Sequence, residues 1–145
     1  MKIKIAWVGK TKDAAVASLT EEYLKRISRY VSVEGVSVRD EEDLLSKYAG
    51  KGAKVTLVLM DSRGKEFSSE LFAKFLRDYQ DRNPLPLVFA IGGADGFSAA
   101  TKSAAQQTVS LGKLTLAHEL ARVVLLEQVY RAFTILKGHP YHSGH

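Results

Sequence analysis

Two apolar runs limit what this chain can fold into. KVTLVLM (Lys54–Met60) and LPLVFAI (Leu85–Ile91) are strand-length and almost unbroken. Strict alternation marks a strand with one wet face, whereas a continuous apolar run marks a strand covered on both. Both runs therefore predict central strands of a sheet held between helices. The segment between them supplies one such helix. Ser68 stands as its N-cap and Glu70 favours its first turn; Leu71, Phe72, Phe75, Leu76 and Tyr79 form its apolar stripe, and Asn83-Pro84 ends it. Asp61-Ser62-Arg63-Gly64 reads as the turn that closes the preceding strand.

The same alternation of elements runs through the whole chain. Ile3, Ile5 and Trp7 alternate with Lys2, Lys4 and Ala6, giving a first strand. Val16, Leu19, Tyr23 and Ile27, widened by Leu24 and Tyr30, recur at helical spacing. Val31, Val33, Val36 and Val38 predict a second strand, with Gly35 as a bulge. Residues 40–49 form a short helix burying Leu44, Leu45 and Tyr48. Residues 98–107 are Ala-rich and helical, 108–111 a short strand, 112–117 a loop, and 118–137 the longest helix. This order predicts an α/β fold, a mainly parallel sheet with helices on both faces, in a single domain over residues 1–145. Such sheets bind ligands beyond the carboxyl ends of their strands. Here those ends are Met60/Asp61, Ile91/Gly92 and Leu111/Gly112.

Composition excludes several chemistries. There is no cysteine, so disulfides, thiolate nucleophiles and cysteine-ligated zinc or iron–sulfur sites are ruled out. MKIKIAWVGK alternates and reaches Gly9 and Lys10 too early for a secretory signal. No apolar run approaches the ~20 residues of a bilayer span. A cytoplasmic protein without membrane contact is expected. The net charge of +5 favours a polyanionic partner. The bases concentrate in residues 1–31 (Lys2, Lys4, Lys10, Lys12, Lys25, Arg26, Arg29), while residues 32–50 are acidic.

Familiar motifs fail on inspection. His118-Glu119 opens like a zinc-protease helix, but Arg122 stands where the second histidine belongs. Gly112-Lys113 lacks the upstream glycine and the Ser/Thr of a phosphate loop. Gly92, Gly93 and Gly96 do not form a dinucleotide fingerprint; they serve either ligand approach or a tight turn. The last helix is more informative. At 100° per residue His118, Arg122, Leu125, Leu126, Val129, Phe133 and Leu136 share one arc, with Glu119, Glu127, Arg131 and Thr134 opposite. Two polar residues thus open a face that is apolar further along. They form either a structural ion pair at a wet helix start, or a site or subunit contact. His139, His142 and His145 repeat every three residues without a nearby carboxylate or cysteine, which fits a polar tail better than a metal site. Tyr141 can stack on a nucleobase or serve in docking.

FAIGGADG (Phe89–Gly96) and SLGKLTLAHELARVVLLEQVYRAFTILKGHPYH (Ser110–His142), with MKIKIAWVGK and EEYLKRISRY near the start, resemble the ribosomal large-subunit pseudouridine N3-methyltransferase family. That family belongs to the SPOUT class of S-adenosylmethionine-dependent RNA methyltransferases. The resemblance spans essentially the whole chain and is weakest over residues 34–53. It implies a C-terminal trefoil knot, a homodimer, and S-adenosyl-L-methionine as methyl donor with no metal. It implies a donor pocket of three loops: Met60; Gly92; and Leu111, Gly112, Lys113, Leu114, Thr115 and Leu116. It implies methylation of N3 of a pseudouridine in 23S ribosomal RNA, on assembled ribosomes. The chain departs from the family pattern at Met60 (often Leu), at Ala117 (often Pro), and in the added Ser143-Gly144-His145.

With that acceptor, the residues themselves take expected roles. The imide proton on N3 must leave, and a neutral His118 at a helix N-terminus suits that task. Arg122 is expected to stabilise the anionic uracil oxygen. Tyr141 and His142 are expected to complete the site from the partner subunit. The N-terminal bases, Lys113 and Arg131 are expected phosphate contacts. Two other readings stand beside this one: a SPOUT enzyme acting on transfer RNA or another nucleotide, and a non-catalytic RNA-binding or ribosome-assembly module.

Overall fold

The computed structural model describes residues 1–142, with the backbone alone of His142. Ser143, Gly144 and His145 lie outside the described residues, and with them the third histidine of the tail. Five strands, β1 (Lys2–Val8), β2 (Ser32–Val38), β3 (Thr56–Glu66), β4 (Leu87–Ile91) and β5 (Gln107–Ser110), form one sheet in the order β2-β1-β4-β3-β5. Every pairing is parallel. Five helices follow them in turn: α1 (Ala14–Ile27), α2 (Glu41–Tyr48), α3 (Ser69–Arg82), α4 (Ala99–Ala104) and α5 (His118–Lys137). A 3-10 turn, Pro140–His142, comes last.

The two apolar runs sit at the centre, as their pattern requires. All of β4 is buried. Ile5, Val58 and Phe89 face a core built with α1, α3 and α5, while Leu57, Leu59 and Val88 face a second core closed by α2 and Phe97. Both faces are thus removed from water, which a continuous apolar strand needs and an alternating one does not.

Local chemistry sets the helix starts. Asp13, Asp40, Ser68 and Ser98 each accept backbone N–H groups as N-caps. The acidic stretch is largely spent in this way. Asp43 accepts the Arg39 N–H at 3.0 Å and pairs with Lys47, and Glu41 accepts the Ser98 N–H at 2.7 Å, tying α2 to α4. Among the described helices only α5 starts without a side-chain cap, because its N-cap residue is Ala117.

Several expectations need correction. Gly35 makes no bulge, since β1 and β2 pair in unbroken register from Lys2↔Ser32 to Val8↔Val38. The glycine is there because the Trp7 ring fills the space of its side chain: a Cβ would lie 2.6 Å from Cη2 of Trp7. Gly35→Ala is therefore expected to cost about 1–3 kcal/mol through overpacking, read as a lower urea midpoint at unchanged slope. The turn at Asp61–Gly64 does not end β3. Val109 pairs with both Met60 and Lys65, so four residues loop out of the ladder and the strand resumes. The Asp61 carboxylate closes that loop by accepting the Arg63 N–H at 2.9 Å.

Leu71, placed in the stripe of α3, is 55% exposed, and the buried positions are Phe72, Ala73 and Leu76. On α1 the interior takes Thr20 while Leu19 stays at the surface. Thr134, expected on the polar side of α5, is fully buried. α5 packs over the sheet with α1 and α3 on its flanks, so far more than one arc of it is covered.

Candidate active site

The excursion of β3 after Met60 and the carboxyl ends of β4 and β5 open into one cleft, on the side of the sheet where parallel strands bind ligands. Met60 lines it from β3 just before the excursion, Gly92 and Leu111 from the ends of β4 and β5, and Gly112, Leu114, Thr115 and Leu116 from the loop after β5. Of the residues expected there, Lys113 alone is not in the lining; its side chain is exposed. Leu114 lines the rim and is 84% exposed. The cleft's wall chemistry is mixed: apolar side chains from Met60, Ile91 and Leu116, and bare backbone from the glycines. Ligand pockets combine such apolar area with a few fixed polar groups.

Of the two readings of these glycines, the structure shows the tight turn. The Gly96 N–H donates to the Gly93 carbonyl at 3.0 Å, and Gly96 sits at φ +71°. A Cβ on Gly92 would approach the Gly96 backbone at 3.1 Å. The segment is thus a tight turn, and Gly92 and Gly93 also form the floor of the cleft with no side chain above them. The opposite loop is held by Ser110. Its hydroxyl accepts the Gly112 N–H at 3.0 Å and donates to the Gly112 carbonyl at 2.7 Å, while Gly112 takes φ +136°. The four-residue excursion of β3 adds Asp61 and Ser62 to the wall. The Asp61 carboxyl lies below its ordinary range, chiefly through the Arg63 N–H and then through Lys102, whose Nζ is 3.2 Å away. It is the one carboxylate among the described lining residues.

His118, the first residue of α5, lines the cleft and is half-buried. Arg122, one turn on, is 1% exposed and is not in the lining. Its guanidinium lies 4.2 Å from the centroid of the Trp7 ring and donates to the Thr11 hydroxyl. Its Nε has no hydrogen-bond partner. Burial pushes its pKa down, and the Glu119 charge opposes that. Glu119 in turn accepts the backbone N–H groups of Lys12 (3.2 Å) and Asp13 (3.2 Å). The first turn of α5 therefore holds the β1–α1 loop. Sequence reading missed Glu119 and Thr11, because their partners are more than a hundred residues away along the chain.

Tyr141 stands elsewhere. Gly138 takes the left-handed conformation and the His139 N–H returns to the Thr134 carbonyl, folding the chain back along α5. Tyr141 then donates to Glu127 at 2.9 Å, meets the Tyr23 hydroxyl at 3.2 Å, and stacks edge-on with Tyr130. Burial and the Tyr23 and Glu127 hydrogen bonds push its phenol pKa up. Arg131 also pairs with Glu127, at 2.7 Å. His139 bonds the Tyr30 hydroxyl. The described residues contain no cluster of three or more metal-ligating side chains, and none of their helices is long and apolar enough to cross a membrane.

A doubly covered parallel sheet, with a glycine-floored cleft where three strands meet an uncapped helix start, defines a class of α/β ligand-binding fold in which a small molecule sits against backbone. Comparison narrows the class. Residues 1–142 match the family model described as "Predicted SPOUT methyltransferase", and the chain belongs to that family. It is 54% identical over 147 residues to a protein of Koribacter versatilis called "Ribosomal RNA large subunit methyltransferase H", with all of both chains covered. A protein of the same name from Geobacter sp. is 43% identical, with 98% of this chain and 99% of the relative covered. Among solved structures, a probable methylase family protein from Haemophilus influenzae matches with a TM-score of 0.62 at 8% identity, covering 98% of this chain and 70% of that one. A putative methyltransferase from Legionella pneumophila, solved with SAM bound, matches with a TM-score of 0.50 at 15% identity, covering 91% of this chain and 66% of that one. These likenesses carry the fold.

Proposed function

We propose that this chain methylates N3 of a pseudouridine in 23S ribosomal RNA, using S-adenosylmethionine, as a knotted homodimer acting on ribosomes in the cytoplasm. The observation that carries the reading is the shared cleft, built from the segments that the family resemblance marks. The names of the two close relatives support the ribosomal substrate. The lining suits the methyl donor. Met60 and Leu116 can enclose an adenine ring, the backbone of the 111–116 loop offers N–H and carbonyl groups to its edge, and the Gly92–Gly93 backbone supplies a further wall. When bound there, S-adenosylmethionine supplies a methyl group activated by a sulfonium.

The chain's own residues do the rest. His118 accepts the N3 proton as general base, at the mouth of the cleft. Arg122, buried over Trp7, supports the wall that carries His118 rather than touching the uracil. Tyr141 is held at Glu127, more than two turns along α5 from His118, or about 13 Å of helix rise. A second copy can bring its Tyr141, with His142 next in sequence, to the site that Tyr141 of the same chain does not reach, and the exposed Leu114 and Leu120 beside the cleft give that copy an apolar contact.

The test is incubation with labelled S-adenosylmethionine and ribosomes lacking the modification. The expected result is label at one pseudouridine of 23S RNA, and calorimetric binding of one donor per chain. Label in transfer RNA would move the assignment to another SPOUT substrate. Absence of donor binding would leave a non-catalytic RNA-binding module.

A further inference from the structure

We infer that the β1–α1 loop, Gly9–Asp13, is a phosphate-binding rim of the cleft, and that Glu119 and Arg122 position it for RNA. The inference rests on the ribosomal RNA reading above. β1 is hydrogen-bonded beside β4, with Trp7 opposite Ile91 and Val8 against Gly93, so the loop leaves the sheet next to the glycine floor. It then crosses to the first turn of α5, where His118 forms another wall. Its lysines, Lys10 and Lys12, are exposed, and neither has a carboxylate within ion-pair distance among the described residues. Two free ammonium groups thus stand at the edge of the site that must receive a polyanion.

The loop is pinned from three points. Gly9 turns at φ +89° and its N–H donates to the Val38 carbonyl at 2.8 Å. Thr11 takes a hydrogen bond from Arg122. The Lys12 and Asp13 N–H groups both point at the Glu119 carboxylate. Arg122 is an interior cation, and this clamp is what its position achieves: one side lies on Trp7 and the other holds the loop. A pre-set loop lowers the ordering cost of binding, so the clamp contributes to RNA affinity without contacting RNA.

The clamp and simple electrostatics predict opposite signs for one variant. Glu119→Ala removes a negative charge beside two lysines, which by charge alone tightens binding to a polyanion. The clamp makes binding weaker. Ribosomes lacking the modification are the probe, with Kd measured between 50 and 200 mM salt. Lys10→Ala/Lys12→Ala is expected to weaken binding about tenfold at the lower salt and to reduce the magnitude of the log–log slope by about 1.5, near 0.7–0.9 per phosphate contact. Glu119→Ala and the charge-neutral Thr11→Val are expected to raise the KM for ribosomes about three- to tenfold. For both, the rise in KM exceeds the fall in kcat, and donor affinity is unchanged.

Thr11→Val keeps the test valid if Glu119→Ala fails to fold. Equal or tighter ribosome binding by Glu119→Ala, or an unaltered salt slope in the double lysine variant, overturns the inference while the methylation reading stands. A wild-type protein that neither binds nor methylates ribosomes overturns both.

Discussion

His118→Ala is expected to lower single-turnover methyl transfer by about 10²–10⁴-fold, the range for loss of a general base, while donor affinity stays within about twofold. The separation follows from where the side chain sits. His118 opens α5 at the cleft wall, whereas the groups assigned to the donor lie at Met60 of β3, at the end of β4 and on the loop after β5. Removing the imidazole also costs little structure. α5 has no side-chain cap to lose, and its first turn is held by Glu119 and Arg122. Thermal unfolding within a few degrees of wild type would show that the loss is chemical. The measurement is a rapid-quench single turnover with donor and ribosomes saturating, alongside calorimetry with the donor alone. A rate within threefold of wild type would move the proton-accepting role to another residue.

The second large effect concerns the last residue of the Asp61–Gly64 excursion. Gly64→Ala is expected to cost about 3 kcal/mol, a fall in Tm of about 10 °C, and to weaken donor binding at least tenfold. A Cβ at this position would lie 2.7 Å from the Thr108 carbonyl carbon and oxygen and from the Val109 nitrogen. Those atoms are backbone of β5 and cannot rotate away. β3 and β5 must separate, and β5 leads through Ser110 into the loop that lines the cleft. Gly93→Ala provides the contrast. Its Cβ would meet only Val8 Cγ1, at 3.8 Å, an ordinary contact. Differential scanning calorimetry should therefore show a large loss for Gly64→Ala and a small one for Gly93→Ala. Similar Tm values for the two variants would mean that β3 and β5 part easily.

The amino-acid pattern determined the layer structure of this protein. Two unbroken apolar runs demand cover on both faces, and that requirement depends only on short-range composition, so it was legible before any contact was known. The segments that build the cleft, at Met60, Gly92 and Leu111, followed from the same reading, as did the Ser68 helix start, which depends on residues three positions apart. Tertiary structure decided what depends on distant partners. It turned Gly35 from a bulge into a seat for Trp7, and the Asp61–Gly64 turn into an excursion within a strand that β5 can receive back. It buried Thr134 because α5 is flanked on both sides, which helical periodicity does not register. It also split His118 from Arg122. They share one arc of a helix, but the chain beneath them differs, so one meets the cleft and the other meets Trp7 and Thr11. Periodicity reports which way a side chain points along its own element; what it meets there is set by chain that arrives from elsewhere.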